Sequence, residues 1–232
     1  METIDKVNNG IDRSWKGVSD VWLAAQTILC GVVRWSKYEN TFIRRQDDLQ
    51  HSYSASILAK IFVEKLNPYF FPALDKELII SAFLVHDHGE GELKRDICYG
   101  SKPANCDLEE YQAFVKRYSQ LGPAVFPSFE RAYLLQYALE YKPDFPESAK
   151  AIMRDLAVDN GYEALCFTAI EIWDYLLYAL EQDAAKTHNV ILEEVLRNQV
   201  PRLDELAAKL PGFAKEIWTK EISSSLKSLI KW

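Results

Sequence analysis

Apolar residues recur at helical spacing along most of the chain, and no stretch shows the two-residue alternation of a half-buried strand. That pattern restricts the fold to helices packed on helices. A first helix is expected from about Ser14 to Gly31, with Trp22, Ile28 and Leu29 among its apolar residues. A second covers Leu49 to Leu66, its inward face carrying His51, Ala55, Leu58 and Phe62, and Asn67-Pro68 stops it. A third starts near Asp75 and runs through Ile79, Ile80, Phe83 and Leu84 into His86-Asp87, where Gly89 and Gly91 end it. Helices are expected at Leu108–Leu121, Ser128–Tyr141 and Glu147–Leu156, then a long apolar one from about Tyr162 to Ala185. Two or three shorter helices, separated by Pro201 and Pro211, close the chain. The expected class is all-α: a helical domain over residues 1–187, with residues 188–232 forming a C-terminal helical appendage packed on it.

A chain of 232 residues, 48% hydrophobic and 26% charged, can bury a substantial core around a polar site. Its net charge of −7 argues against a nucleic-acid polymer as partner, because a phosphate backbone calls for clustered Lys and Arg. It leaves room for a small phosphorylated substrate held by a few arginines. Cys30, Cys98, Cys106 and Cys166 form no Cys-x-x-Cys pair and suggest no secreted disulfide framework, so they read as reduced thiols of a cytoplasmic protein. The N-terminal stretch METIDKVNNGIDRSW lacks the basic start and apolar run of a secretory signal. The apolar stretch from Val21 to Val33 falls short of the ~20 residues that span a bilayer, so no membrane is expected as partner.

The chemistry concentrates in LVHDHGEGELKRD, where a histidine is followed at once by an aspartate at the end of an apolar helix. Adjacent residues on a helix diverge by about 100° and face one partner poorly, but where a helix ends the chain bends and both can reach one ion. Imidazole nitrogen and carboxylate oxygen together suit a divalent first-row metal. His51 begins a helix whose inward face is otherwise small or apolar, and Asp174 has Phe167, Ile170, Leu177 and Tyr178 as helical neighbours. A carboxylate in such surroundings calls for a cation or hydrogen-bond donors. Taken singly, each residue has an ordinary explanation: a hydrogen-bonded helix histidine, a chance His-Asp pair, an aspartate paired with an arginine. Jointly, the order His, His-Asp, Asp on three helices points to one bound cation. The residues alone leave two choices open: Glu171, one turn before Asp174, competes with it as ligand, and Glu92 competes with Glu90 for an acid role. His88 and His188 are expected at the surface.

This H…HD…D order resembles the signature of the HD superfamily of metal-dependent phosphohydrolases, whose scaffold is a helical bundle. VVRWSKYENTFIRRQDDLQHSYSAS is similar to the opening of the YfbR-like 5′-deoxynucleotidases: an Arg-Trp pair, a loop, then His-Ser at a helix start. The 35-residue interval from His51 to His86 agrees with that family, and IWDYLLYALEQ resembles its last aspartate helix. The resemblance covers roughly residues 31–96 and 169–182. It implies an HD-domain bundle with extra C-terminal helices. It also implies His51, His86, Asp87 and Asp174 as ligands of one divalent ion (Mn, Co, Mg, Fe or Zn) and ranks Asp174 above Glu171. Glu90 matches the acid that orients or deprotonates the attacking water, Arg34 the phosphate contact, and Trp35 the aromatic against the nucleoside. Asp96, one residue further along than the family's pattern, resembles the acid that recognises the sugar. Arg44 or Arg45 assists at the phosphate, and Lys94 and Arg95 either do the same or form a solvated basic turn. The implied activity is hydrolysis of (deoxy)nucleoside 5′-monophosphates to nucleoside and phosphate, in a possible homodimer. The alternatives are a dNTP triphosphohydrolase and a catalytically silent nucleotide-binding HD protein.

Overall fold

A computed structural model describes residues 13–35, 38, 44–95, 102, 103, 105–140, 142–184 and 189–229. The fold is all-α. Its helices are α1 (Arg13–Thr27), α2 (Asp48–Leu66), α3 (Lys76–Val85), α4 (His88–Leu93) and α5 (Cys106–Tyr118). They continue as α6 (Phe126–Leu134), α7 (Glu147–Asp159), α8 (Gly161–Ala184), α9 (Asn189–Lys209), α10 (Phe213–Glu216) and α11 (Lys220–Ser228). The extended pairing seen among the described residues is a single antiparallel bridge, Val33 with Asp47. None of the described helices is long and apolar enough to cross a membrane.

Three helices set the frame of the site: α2 packs on both α3 and α8, and α3 touches α8 as well. Their shared core includes Ala59, Phe62 and Val63 from α2, Ile79 and Phe83 from α3, and Phe167 and Ile170 from α8. Helix starts are specified locally. The Asp47 carboxylate accepts from the Gln50 backbone N–H at 2.8 Å and caps α2. Asp75 does the same for α3, accepting from Leu78 at 2.9 Å.

Helix α3 stops at Val85, so His86 and Asp87 lie in the bend before α4. Gly89 and Gly91, expected to end the helix, lie inside α4 instead, which ends at Lys94 with φ 55°. Gly89 serves a close approach: a Cβ there would come within 2.4 Å of the Glu110 carbonyl oxygen and 2.7 Å of the Tyr133 hydroxyl. His88 is buried, contrary to the expected surface position, because the turn of α4 carries it inward to the Tyr118 hydroxyl, 2.7 Å from Nδ1. His188 lies outside the described residues.

Pro201 does not separate two helices, since α9 runs through it. An interior proline costs ~3 kcal/mol or more by removing one hydrogen bond and crowding the preceding turn. Here the apolar face of α9, with Leu196, Val200, Leu203 and Leu206 buried, packs along α8 and outweighs that cost. Burying each such side chain contributes about 1.5–3 kcal/mol. Around Pro211 the chain does break, with Gly212 at φ 76°. The α9–α11 side chains belong to the same buried cluster as α2, α3 and α8.

Candidate metal centre

Each histidine reaches the centre with one nitrogen while its other nitrogen is held from behind. His51, fully buried in the first turn of α2, has Nδ1 2.6 Å from Asp174 Oδ2. Asp174 is fixed in turn by the Ser54 hydroxyl, which donates to Oδ1 at 2.6 Å. His86 has Nδ1 3.1 Å from the Phe83 carbonyl oxygen. A carboxylate and a carbonyl only accept, so both Nδ1 atoms carry a proton and each Nε2 is the atom able to offer a lone pair to a cation.

Those two Nε2 atoms face each other at 3.1 Å. Glu171 Oε1 lies 3.1 Å from His51 Nε2 and 3.3 Å from His86 Nε2. Asp87 adds Oδ1 at 3.1 Å from His86 Nε2 and Oδ2 at 3.7 Å from His51 Nε2. Four acceptors gathered like this repel one another unless positive charge sits among them. Donor atoms each ~2.0–2.2 Å from one ion stand roughly 2.8–3.6 Å apart across octahedral and tetrahedral arrangements, so the separations near 3.1–3.3 Å fit a shared divalent cation. Among the described residues, one ligand atom each of His51, His86 and Glu171 lie close enough together to hold a single ion.

The titration tendencies report the same excess of negative charge. Burial and the Arg34 guanidinium push the His51 pKa down. The Glu171 carboxylate and hydrogen bonds to Asp174 and Glu171 outweigh them and lift it to about 10, so without a cation His51 holds a second proton, on the Nε2 that faces Glu171. Burial alone would raise Glu171, yet His51 and His86 hold it well below the usual carboxylate range. Asp87 is lowered against its own burial by His86, Arg34 and His51.

The centre thus brings together three of the four expected ligands, but not in the expected arrangement. Asp174 touches the ring of His51 on the side away from the converging atoms, and Glu171 takes the inner position. Both acids stand on one face of α8, a turn apart. Glutamate has the extra methylene that carries its oxygen past the ring edge to Nε2.

Arg34 is buried beside the centre. Its Nη1 is 3.1 Å from Asp87 Oδ2 and 3.6 Å from the fully buried Asp48, and its Nη2 donates to the Tyr175 hydroxyl at 3.3 Å. Backbone pairing delivers it there: Arg34 N–H donates to the Gln46 carbonyl at 2.9 Å, and Asp48 N–H to the Val32 carbonyl at 3.1 Å. Trp35 follows with φ 64°, a left-handed conformation that costs an L-residue roughly 1–2 kcal/mol. Its indole stacks on Tyr178 at 4.5 Å between centroids and donates from Nε1 to Gln46 at 3.3 Å. Arg45 donates from Nη1 to the Trp35 carbonyl at 3.3 Å, while the exposed Arg44 pairs with Glu181 at 3.0 Å.

Glu90 lies one turn past His86 and directs its carboxylate to Lys102, with Oε1 2.6 Å from Nζ. Lys102 also holds the buried Glu110 at 3.0 Å. Burial, reinforced by Asp87 and Glu110, lifts the Glu90 pKa to about 8 even against Lys102. Glu92 is engaged elsewhere, bridging to Arg117 at 2.6 and 3.0 Å. Arg95 pairs with Glu109 at 2.5 Å, and Lys94 is exposed. Asp96 falls outside the described residues. Sequence reasoning missed Ser54, Tyr175 and Lys102. One hydroxyl among 12 tyrosines carries no mark of its own, although Tyr175 stands four residues after Glu171.

Comparison with protein-family models, curated proteins and solved structures found no match.

Proposed function

We propose that the chain is an HD-type metal-dependent phosphohydrolase acting on (deoxy)nucleoside 5′-monophosphates and releasing nucleoside and phosphate. The observation that carries the reading is the meeting of two Nε2 atoms and the Glu171 carboxylate, each imidazole locked from behind. Hydrogen-bonded support of that kind orients a ligating imidazole and raises its basicity. His51, His86, Glu171 and Asp87 would hold one divalent ion. When bound, such an ion supplies Lewis-acid polarisation of a phosphoryl oxygen and makes hydroxide available near neutral pH.

The chain's own groups do the rest. Arg34, its Nη1 already within 3.1 Å of Asp87, brings fixed positive charge to the edge of the centre, where phosphate oxygens need neutralising. Glu90 is the acid suited to exchange a proton with the nucleophile: it is buried, feels the Asp87 charge, and is lifted to about 8. Trp35, held by Tyr178 and Gln46, offers an aromatic surface next to Arg34 for a nucleoside.

Phosphate release from a panel of dNMPs, NMPs and dNTPs with Mn²⁺, Co²⁺ or Mg²⁺ tests the proposal. Free phosphate from dNMPs, abolished in His86→Ala, is the expected result. Triphosphate released from dNTPs would reassign the substrate, and metal-dependent nucleotide binding without product would remove the activity altogether.

A further inference from the structure

Tyr175 gives Arg34 a second point of attachment at the site, beside Asp87. Its hydroxyl accepts from Arg34 Nη2 at 3.3 Å, and the nearby Glu171 carboxylate adds to the burial that pushes its pKa up. A guanidinium only donates, so a lone pair of the hydroxyl receives Arg34 and the phenolic proton is left for an acceptor elsewhere. The ring is fixed as firmly as the hydroxyl: it lies 18° from parallel to His51 at 6.1 Å and meets Trp35 edge-on at 6.0 Å. The Arg34 guanidinium carbon sits 5.5 Å from the ring centroid. Arg34 is therefore held at Nη1 by Asp87 and at Nη2 by Tyr175.

We infer that Tyr175 is a positioning residue that sets the Arg34 guanidinium for an incoming phosphate. The inference rests on the reading of Arg34 as the phosphate contact. A planar guanidinium held through both Nη atoms is fixed in its plane, and losing one of those contacts loosens it. Tyr175→Phe keeps the ring and its contacts and removes the hydrogen bond.

The test is calorimetric binding of inorganic phosphate to Mn²⁺-loaded protein, with Mn²⁺ content measured alongside. Tyr175→Phe should weaken phosphate about tenfold, the scale of one hydrogen bond to a charged group, with Mn²⁺ content unchanged. In an Arg34→Lys background the same change should matter less than twofold, because a lysine ammonium has no second nitrogen to lose. Equal weakening in both backgrounds, loss of Mn²⁺ in Tyr175→Phe, or no phosphate binding by the wild type would each overturn the inference. Wild-type turnover of dNMPs without the Arg34–Tyr175 coupling would sink it and leave the hydrolase standing. The coupling without turnover on any phosphate ester would do the reverse.

Discussion

Exchanging Asp174 for Glu171 as inner ligand makes a quantitative prediction, because removing either acid should damage the protein differently. Structural metal sites with four ligands bind with ~10–16 kcal/mol, so one ligand is worth roughly 2.5–4 kcal/mol, or about 10²–10³ in affinity. Glu171→Gln should lose that much and so remove most metal-induced stabilisation, about 2.7–4.1 kcal/mol once metal exceeds Kd by the same factor. Its amide keeps the side chain's shape and its oxygen accepts from the His51 Nε2–H of the metal-free state, so the metal-free protein changes less. Asp174→Ala is expected to act the other way round. It leaves the fully buried His51 Nδ1–H and the Ser54 hydroxyl without their shared acceptor. Metal-free stability should fall by ~1–3 kcal/mol for the orphaned group. Metal affinity should fall only the 10–100-fold typical of an outer hydrogen-bond partner. Urea unfolding of both variants, with chelator and with excess Mn²⁺, separates the contributions. A metal-dependent increment that survives in Glu171→Gln and vanishes in Asp174→Ala would refute this arrangement and return Asp174 to the inner position.

Two further outcomes follow from the fold. Pro201→Ala restores a hydrogen-bond donor inside α9 without touching its buried face, and should raise unfolding stability by ~1–3 kcal/mol; a lower Tm would show that the helix depends on its proline. His88, whose pKa burial pushes down to about 4 from an ordinary 6.5, stays neutral in the folded protein while the unfolded chain protonates. Its contribution is complete above pH 6.5 and is lost as pH falls from there toward 4, at most about 3 kcal/mol. The stability profile of His88→Asn should flatten across that window, and an unchanged slope in chelator-treated protein would remove His88 as the cause.

Where local pattern and packing agree, the sequence was a good guide. The helical period, the apolar run into His86-Asp87 and the placement of His51 at a helix start all reappear in α2, α3 and the bend after Val85. The failures have specific physical causes. Pro201 is a local breaker overruled by the buried face it shares with α8. His88 sits in a polar motif, yet only the direction of α4 decides that it meets Tyr118. Glu171 and Asp174 occupy one helical stripe, and no periodicity tells which ring nitrogen each will reach; side-chain length and the tilt of α8 against α2 settle that. Tyr175 and Ser54 act through partners far away in sequence, 141 positions to Arg34 and 120 to Asp174, while Lys102 reaches Glu90 across 12 positions that no helical period spans.

The single bridge between Val33 and Asp47 works as a clasp. It shuts the neck of the connection running from Trp35 to the start of α2, so Arg34 and His51 keep their spacing whatever length of chain is inserted beyond the clasp. Lengthening a closed loop costs little, about 0.6 kcal/mol per doubling. Natural variation or engineering can therefore rewrite that segment without disturbing Arg34 on one side of the clasp or His51 on the other.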